Sequence, residues 1–502
     1  MCWSGRVLGR LRQPVYEHRM CAARFETAFA SLGEDFSDVV TPAAFPQTRL
    51  CYRNGRWAAR VGLDGLSEAA WIEHFGRFRP FPGYQAPPRA MRYHGHQFRH
   101  YNPDLGDGRG FLFAQLRDLA DQRLLDLATK GSGQTPYSRA GDGRLTLKGG
   151  VREVLATAML EARGVYTSKS LSLIETGEAL MRNDEPSPTR AGILVRLSHS
   201  HIRFGTFQRH AFHNRPDSLQ ALVDHCGVFY FPDLMAADGA ARAASLLEIA
   251  CRCAANLVAS WMAAGFVHGV LNTDNMNITG ESFDYGPYRF LPRADPTFTA
   301  AYFDESGLYA FARQPEAVFW NLKQLAGALS LVCDKESLVA ALATYPHAYR
   351  AALVDKMFAM LGIAPGDMAA DGELIEHVFG WMAATGADWE QFFFDWFCAP
   401  VREGLDSPQS ALYAGPEWAV IETGLRSRTP VDAHRLRHGY WSRARPSSLL
   451  IGEIETLWRD IAEADDWSGF HAKLAEIEAV REAYAFQPQS GATLSCSAGA
   501  PC

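Results

Sequence analysis

Three oxygen-bearing side chains crowd one short stretch of the chain and could share one reaction. They are Asp274, Asn275 and Asp284, in Asn272-Thr273-Asp274-Asn275-Met276-Asn277-Ile278-Thr279-Gly280-Glu281-Ser282-Phe283-Asp284-Tyr285-Gly286. A two-residue turn at Thr279-Gly280 predicts a hairpin that pairs 278 with 281, 276 with 283 and 275 with 284. Directly opposed residues have Cβ atoms ~4.5–5.5 Å apart. The Asn275 amide oxygen and the Asp284 carboxylate would then lie close enough to share one Mg²⁺, a hard cation that takes oxygen ligands. Asp274 supplies a further carboxylate for proton abstraction or metal binding. The alternative is an Asn- and Asp-rich turn whose side chains are merely solvated.

A second locus precedes it. Leu105-Gly106-Asp107-Gly108-Arg109-Gly110 leads into a strand-like run, and its glycines would let backbone N–H groups approach phosphate oxygens. Glycine-rich turns usually only connect strands, so this signal gains weight from Lys130, which ends the strand-like Leu-Leu-Asp-Leu-Ala-Thr-Lys, and from Glu153 on a predicted helix. A strand lysine that holds nucleotide phosphates and is oriented by a helix glutamate is the arrangement of kinase-like sites. Only 7 of the 49 basic residues are lysines, which makes a lysine here less easily background. Lys148 competes for the role, and a surface ion pair is the alternative for either. No GxxxxGK[ST] element and no helix-opening GxGxxG occur, which disfavours Walker-type NTPases and dinucleotide folds. Two histidines in Tyr93-His94-Gly95-His96-Gln97-Phe98 lack a partner at metal-ligand spacing, so packing or hydrogen bonding is expected of them.

The elements that must position these residues change character along the chain. Strand-like runs at Phe111–Leu116, Leu124–Thr129, Leu171–Glu175 and Gly192–Leu197 predict a twisted antiparallel sheet. One helix interrupts it, Val151–Arg163, with Val154, Leu155, Ala158 and Met159 on one face and Gly164 as its stop. Beyond about 215 the pattern turns helical, with Ala241–Ala264, Pro315–Cys333, Glu336–Met360 and Glu373–Ala384 as candidates. The expectation is an α+β chain in which a β-rich lobe carrying one helix precedes a helical lobe, with a cleft between them. Its parts would be an N-terminal extension (1–90), a β-rich nucleotide-binding lobe (91–212), a helical catalytic lobe (213–440) and a C-terminal helical segment with a cysteine-containing tail (441–502).

Measured against the kinase H-R-D-x-x-x-x-N loop, His268 and Asn275 hold the terminal positions while Val270 fills the place of the catalytic aspartate. In this the chain resembles the selenoprotein O family, the YdiU-type pseudokinases that adenylylate proteins. The matching pieces run in family order: Tyr93-His94-Gly95-His96-Gln97-Phe98, Leu105-Gly106-Asp107-Gly108-Arg109, Lys130-Gly131-Ser132-Gly133-Gln134-Thr135-Pro136-Tyr137-Ser138-Arg139, Gly141-Asp142-Gly143-Arg144, Arg152-Glu153, Ser200-His201-Ile202-Arg203-Phe204-Gly205 and His268-Gly269-Val270-Leu271-Asn272-Thr273-Asp274-Asn275-Met276. The resemblance implies a two-lobed protein-kinase-like fold with family-specific extensions, and ATP bound in inverted orientation so that AMP passes to Ser, Thr or Tyr hydroxyls of proteins. It implies that Gly106, Gly108, Arg109, Lys130, Asp142, Gly143, Arg196, Arg203 and Asp284 bind nucleotide, with Glu153 orienting Lys130. Asn275 and Asp284 would hold Mg²⁺, or Mn²⁺, and Asp274 would be the base. True phosphoryl transfer and a non-catalytic ATP-binding, redox-sensing pseudokinase are the other readings. The chain departs from the family at Arg99, where glycine is usual, and at Phe298-Thr299-Ala300-Ala301, which lacks the cysteine that often pairs with the tail. Cys496 in the tail retains the family-like setting for a redox residue.

Composition limits the partners. Lys+Arg minus Asp+Glu gives a formal charge of −7, so no global basic field draws nucleic acid or an anionic membrane. No apolar run is expected to reach the ~18–20 residues that span a bilayer. The Arg-containing first twenty residues lack an apolar signal core, and ten scattered cysteines without a CxxC pair favour a reducing bacterial cytoplasm.

Overall fold

The computed structural model describes residues 22–404 and 406–486. Cys496 and its tail lie outside the described residues. Eleven strands come first in the chain: β1 (Phe25–Glu26), β2 (Ser37–Val39), β3 (Arg49–Arg53), β4 (Arg89–Met91), β5 (Gly95–Gln97), β6 (His100–Asn102), β7 (Gly110–Arg117), β8 (Leu124–Lys130), β9 (Leu145–Thr146), β10 (Lys169–Leu180) and β11 (Thr189–Ser198). Nine of them form one sheet in the order β2-β4-β7-β8-β11-β10-β3, with β1 added beside β7 and β9 beside β11. Every pairing in it is antiparallel.

Side-chain alternation along the strands divides the core in two. Leu173 and Leu194 face the core that continues into the helical part, while Ile174, Ile193 and Val195 face a second core. That second core is built by residues before position 90. Helices α1 (Gly55–Arg60) and α2 (Glu68–Phe75) bring Trp57, Trp71 and Phe75 onto the outer face of the sheet, each almost fully buried. This double coverage explains why β7 and β8 are buried at nearly every position.

On the inner face lies α3 (Leu147–Ala162), packed against β10 and β11. It begins four residues before the predicted start because the Thr146 hydroxyl accepts a hydrogen bond from the Gly149 N–H and caps it. Gly150 is needed there: a Cβ at that position would sit 2.4 Å from a Leu173 methyl carbon. Gly164, in the left-handed region at φ +75°, stops the chain from continuing as helix.

The helical part contains α4 (Phe204–Phe212), α5 (Pro216–Phe229), α6 (Gly239–Ala263), α7 (Gln314–Leu329), α8 (Lys335–Leu342), α9 (Thr344–Leu361) and α10 (Met368–Thr385). The single helix expected over 336–360 is in fact two. Pro346 has no N–H to give the Leu342 carbonyl, and the ladder breaks between α8 and α9. Contrary to the sequence expectation, α6 is long and apolar enough to cross a membrane by length and composition, and about two-thirds of that stretch is buried within the protein. It packs against α7, α8 and α9.

Strands β5 and β6 form a separate two-stranded hairpin with Gln97 opposite His100. The loop residues Phe98 and Arg99 both have positive φ, +50° and +65°, as a tight hairpin turn with right-handed strand twist demands. The departure from glycine at Arg99 therefore leaves the turn in place with a left-handed arginine. Arg99→Gly is expected to be close to neutral, because relief of the ~1–2 kcal/mol left-handed cost offsets the loss of the exposed Glu316 pair and the Trp320 ring contact. Arg99→Val should be clearly destabilising, since branching at Cβ makes the same backbone harder to hold. Urea melts of the two variants compare them directly.

Candidate functional site

A cleft of about 780 Å³ lies where the sheet meets the helical part. Its walls take Gly106–Phe111 and Lys130 from β7, β8 and the loop before them, Tyr137–Arg144 from the following loop, and Arg196 from β11. The opposite side is Arg203, Val270, Asp274, Asn275, Asp284 and Gly286. Every residue expected to bind nucleotide, metal or a proton lines this one cleft, apart from Glu153 behind it and Cys496 outside the described residues.

Lys130 is buried, and its Nζ bonds Glu153 Oε1 and lies 3.1 Å from Asp284 Oδ1. The strand lysine and helix glutamate thus meet as their spacing suggested. Lys148 instead pairs at the surface with Glu455. Two more cations converge on Asp284: Arg196 Nη1 at 2.8 Å and Arg203 Nη1 at 3.0 Å. Burial alone would raise the Asp284 carboxyl, but Lys130, Arg196 and Arg203 together outweigh it and hold the group well below the usual carboxylate range. Arg203 also donates to the Asp274 carbonyl at 2.8 Å and approaches Asp107 Oδ1 at 3.4 Å. One guanidinium therefore ties the glycine-rich loop, the Asp274 turn and Asp284 together.

Asp274 sits on the single helical turn Thr273–Asn275. Its side chain is nearly buried, and Oδ1 has no hydrogen-bond partner. Burial pushes its carboxyl up to about 6, against the opposing pull of Arg203. The predicted hairpin that was to place Asn275 opposite Asp284 does not form as a ladder. Its arms pair outward: Asn277 bridges Arg203, and Ser282 bridges Thr167 in parallel. The Phe204 N–H donates to the Met276 carbonyl at 2.9 Å and the Ser282 N–H to the Tyr166 carbonyl at 2.9 Å. A turn does form, one residue earlier than expected: the Gly280 N–H donates to the Asn277 carbonyl and places Ile278-Thr279 at its centre. Asn275 and Asp284 line the same cleft, held there by these neighbouring segments and not by the predicted pairing.

The donor set for a cation is oxygen only. Asn275 Nδ2 donates to the Val270 carbonyl at 3.0 Å, which leaves Oδ1 as that amide's acceptor, and Asp284 and Asp274 contribute carboxylates. Among the described residues no group of three His, Cys, Asp or Glu side chains forms a ready cage. An incomplete shell of this kind suits Mg²⁺, which keeps waters and takes phosphate oxygens rather than seeking an all-protein site.

The glycines of the first wall are fixed by close approach. A Cβ at Gly106 would lie 2.3 Å from the Tyr137 ring, and one at Gly143, where φ is +70°, 2.2 Å from the Gly133 carbonyl oxygen. Gly108 packs under the Tyr137 carbonyl. Arg109 faces the cleft from an exposed position. Asp142 is held at the rim by Arg182, at 2.8 Å. Arg139, His201 and Tyr93, quoted above within the matching pieces but given no role there, also line the cleft; Tyr93 lies under the Arg203 guanidinium, 4.4 Å from ring centroid to Cζ.

The two histidines of the Tyr93–Phe98 unit make hydrogen bonds, as expected: His94 Nδ1 with the Tyr101 hydroxyl at 2.8 Å and His96 Nδ1 with the Gln208 amide at 2.8 Å. Between them Gly95 presses on the turn that carries Asp274. A Cβ there would come within 3.0 Å of Asp274 Oδ1 and 3.2 Å of Thr273 Oγ1. Gly95→Ala is expected to cut turnover by on the order of 100-fold through displacement of that carboxylate, at a stability cost of about 1–3 kcal/mol. Turnover of the purified variant beside its urea midpoint separates the two effects.

Comparison with known proteins closes the case for the family. A family model described as protein adenylyltransferase SelO matches residues 19–478. The protein nucleotidyltransferase YdiU of Gloeobacter violaceus is 45% identical over 474 residues, covering 92% of this chain and 96% of its own length. The protein of the same name from Synechocystis sp. is 43% identical over 475 residues, covering 90% and 98%. That from Myxococcus xanthus is 36% identical over 455 residues, covering 89% and 91%. A family model over nearly the whole chain, with relatives at this identity and coverage, makes the chain a member of the SelO/YdiU family of nucleotidyltransferase enzymes.

Proposed function

We propose that the protein transfers AMP from ATP to Ser, Thr or Tyr hydroxyls of other proteins. In this reading the sheet and the helical part act as the two lobes of a protein-kinase-like fold, and ATP lies in the cleft between them. The observation that carries it is the pairing, in one cleft, of a buried carboxylate with a free oxygen, Asp274, and a three-cation cluster around Asp284. The first is the chemistry of a base for a hydroxyl, the second that of a polyphosphate site.

The substrate hydroxyl oxygen attacks the α-phosphorus, the bond from that phosphorus to the bridging α–β oxygen breaks, and pyrophosphate leaves. The hydroxyl proton passes to Asp274. Lys130, Arg196 and Arg203 stabilise the charge that grows on the phosphoryl oxygens and the leaving pyrophosphate. Glu153 keeps Lys130 extended into the cleft, and the backbone N–H groups of Gly106 and Gly108, with Arg109, Asp142 and Gly143, surround the nucleotide. Asn275 and Asp284 would hold Mg²⁺, or Mn²⁺, whose double charge supplies further electrostatic stabilisation of the phosphates. Asp284 Oδ2, which carries only the Arg203 bond, is the oxygen with acceptor capacity left for such an ion. None of the six described cysteines is in a disulfide, in keeping with the reducing bacterial cytoplasm expected from the sequence.

Incubation of the protein with α-labelled or γ-labelled ATP, Mg²⁺ and candidate protein substrates tests the reading. Label entering protein hydroxyls from the α position alone, with an AMP-sized mass gain, is expected. Transfer from the γ position instead would make the enzyme a kinase, a reading that the Lys130–Glu153 pair also accommodates. Bound ATP with no transfer from either position to any substrate tried would leave a nucleotide-binding scaffold.

A further inference from the structure

Gln208 belongs to no phosphate-binding or proton-transfer group, yet its amide is the joint between the β5–β6 hairpin and the turn that carries Asp274. Its Oε1 accepts from Thr273 Oγ1 at 2.6 Å and its Nε2 donates to His96 Nδ1 at 2.8 Å. The His96 N–H donates to Thr273 Oγ1 at 2.7 Å, and the Thr273 hydroxyl in turn donates to the Gln208 oxygen. The amide nitrogen then faces His96 Nδ1, which has to be the unprotonated ring nitrogen. The three residues close a ring of hydrogen bonds in which each donor has one acceptor, and Thr273 and Gln208 are fully buried within it. Asn272 extends the same joint, accepting from the Phe98 N–H at 3.1 Å and the Tyr309 hydroxyl at 2.9 Å.

We infer that Gln208 is a positioning residue: by locking His96 to Thr273 it holds the hairpin on the Asp274 turn and keeps the base carboxylate in its reactive place. The inference rests on the proposed role of Asp274 as base. Gln208 is on α4, which packs against both the hairpin and the turn, and its amide is the side chain that bonds to both of them at once. Without it the hairpin is tied to the turn only by the His96 and Phe98 N–H groups, and the Thr273 hydroxyl beside Asp274, whose own Oδ1 has no hydrogen bond, loses its acceptor.

Two measurements on the full-length protein test this. In Gln208→Leu, hydrogen exchange of the segments 95–102 and 272–276 is expected to speed up together, while α7 and α9 stay as protected as in the wild type. Steady-state transfer should lose on the order of 100-fold in kcat with KM for ATP little changed, because misplacing a reacting group costs rate rather than nucleotide binding. Thr273→Val should reproduce both effects and Thr273→Ser, which keeps the hydroxyl, should restore most of the rate. Unchanged exchange in 272–276 would overturn the joint, as would a serine variant no better than the valine one, or a loss confined to KM. The exchange result decides the joint even where the wild type transfers no nucleotide, an outcome that would instead remove the role of Asp274 as base.

Discussion

Asp284→Ala is expected to abolish nucleotide transfer and, unlike a change to an ordinary cleft residue, to destabilise the nucleotide-free protein. In the structure Asp284 is the counter-ion that Lys130, Arg196 and Arg203 share. Lys130 keeps Glu153 when Asp284 is removed, and Arg203 keeps Asp107 at 3.4 Å. Arg196, buried in an apolar strand, loses its only ion-pair partner among the described residues. Removing one side of a buried pair costs about 3–5 kcal/mol, because a charge remains buried without compensation. ATP brings anionic phosphates to the same three cations, so it should stabilise the variant more than the wild type, by mass action on the folded state. Thermal melts of both proteins with and without ATP in EDTA test the electrostatic part, and α-labelled ATP with Mg²⁺ tests transfer. A variant that melts like the wild type would show that the cations are satisfied by water. One that still transfers AMP would remove Asp284 from the metal and nucleotide site.

Lys130 and Glu153 could be read from the sequence because each sits where a local rule puts it, at a strand end and one helix turn behind an apolar face. The four central strands were legible as short strand-like runs between glycine-rich turns, and α3 through the helical spacing of its apolar face. The misread cases share a different cause. A turn at Thr279-Gly280 says that the chain reverses, but not whether its arms bond to each other or to Arg203 and Thr167, far away in sequence. The outer strands before residue 90 are two to five residues long, too short for alternation to declare itself, and only the sheet assembles them. The Gln208–His96–Thr273 ring joins segments 65 and 112 or more residues apart, which no local pattern encodes. Arg196 and Arg203 fall between these cases. The family resemblance named them, and only the fold brought both onto Asp284.

Asp274→Asn is expected to lower transfer by on the order of 10²–10⁴-fold, the contribution of a positioned general base, while ATP still binds. The substitution keeps the size of the side chain and removes its basicity. It also replaces a nearly buried carboxylate that lacks a partner on Oδ1, so little stability should be lost. Acidity offers the sharper check. Burial raises the Asp274 carboxyl to about 6, and a base works only when ionised, so kcat/KM of the wild type should fall tenfold per pH unit below about 6 and level off above it. Mg²⁺ at the neighbouring Asn275 favours the charged form and would move that inflection to lower pH, a shift that varying the metal concentration would expose. The residual activity of Asp274→Asn should lack the acid limb altogether. A variant that keeps the wild-type limb would assign the titration to another group and leave Asp274 as a metal ligand, whose loss should appear as a raised Mg²⁺ requirement and not as a change in the pH profile.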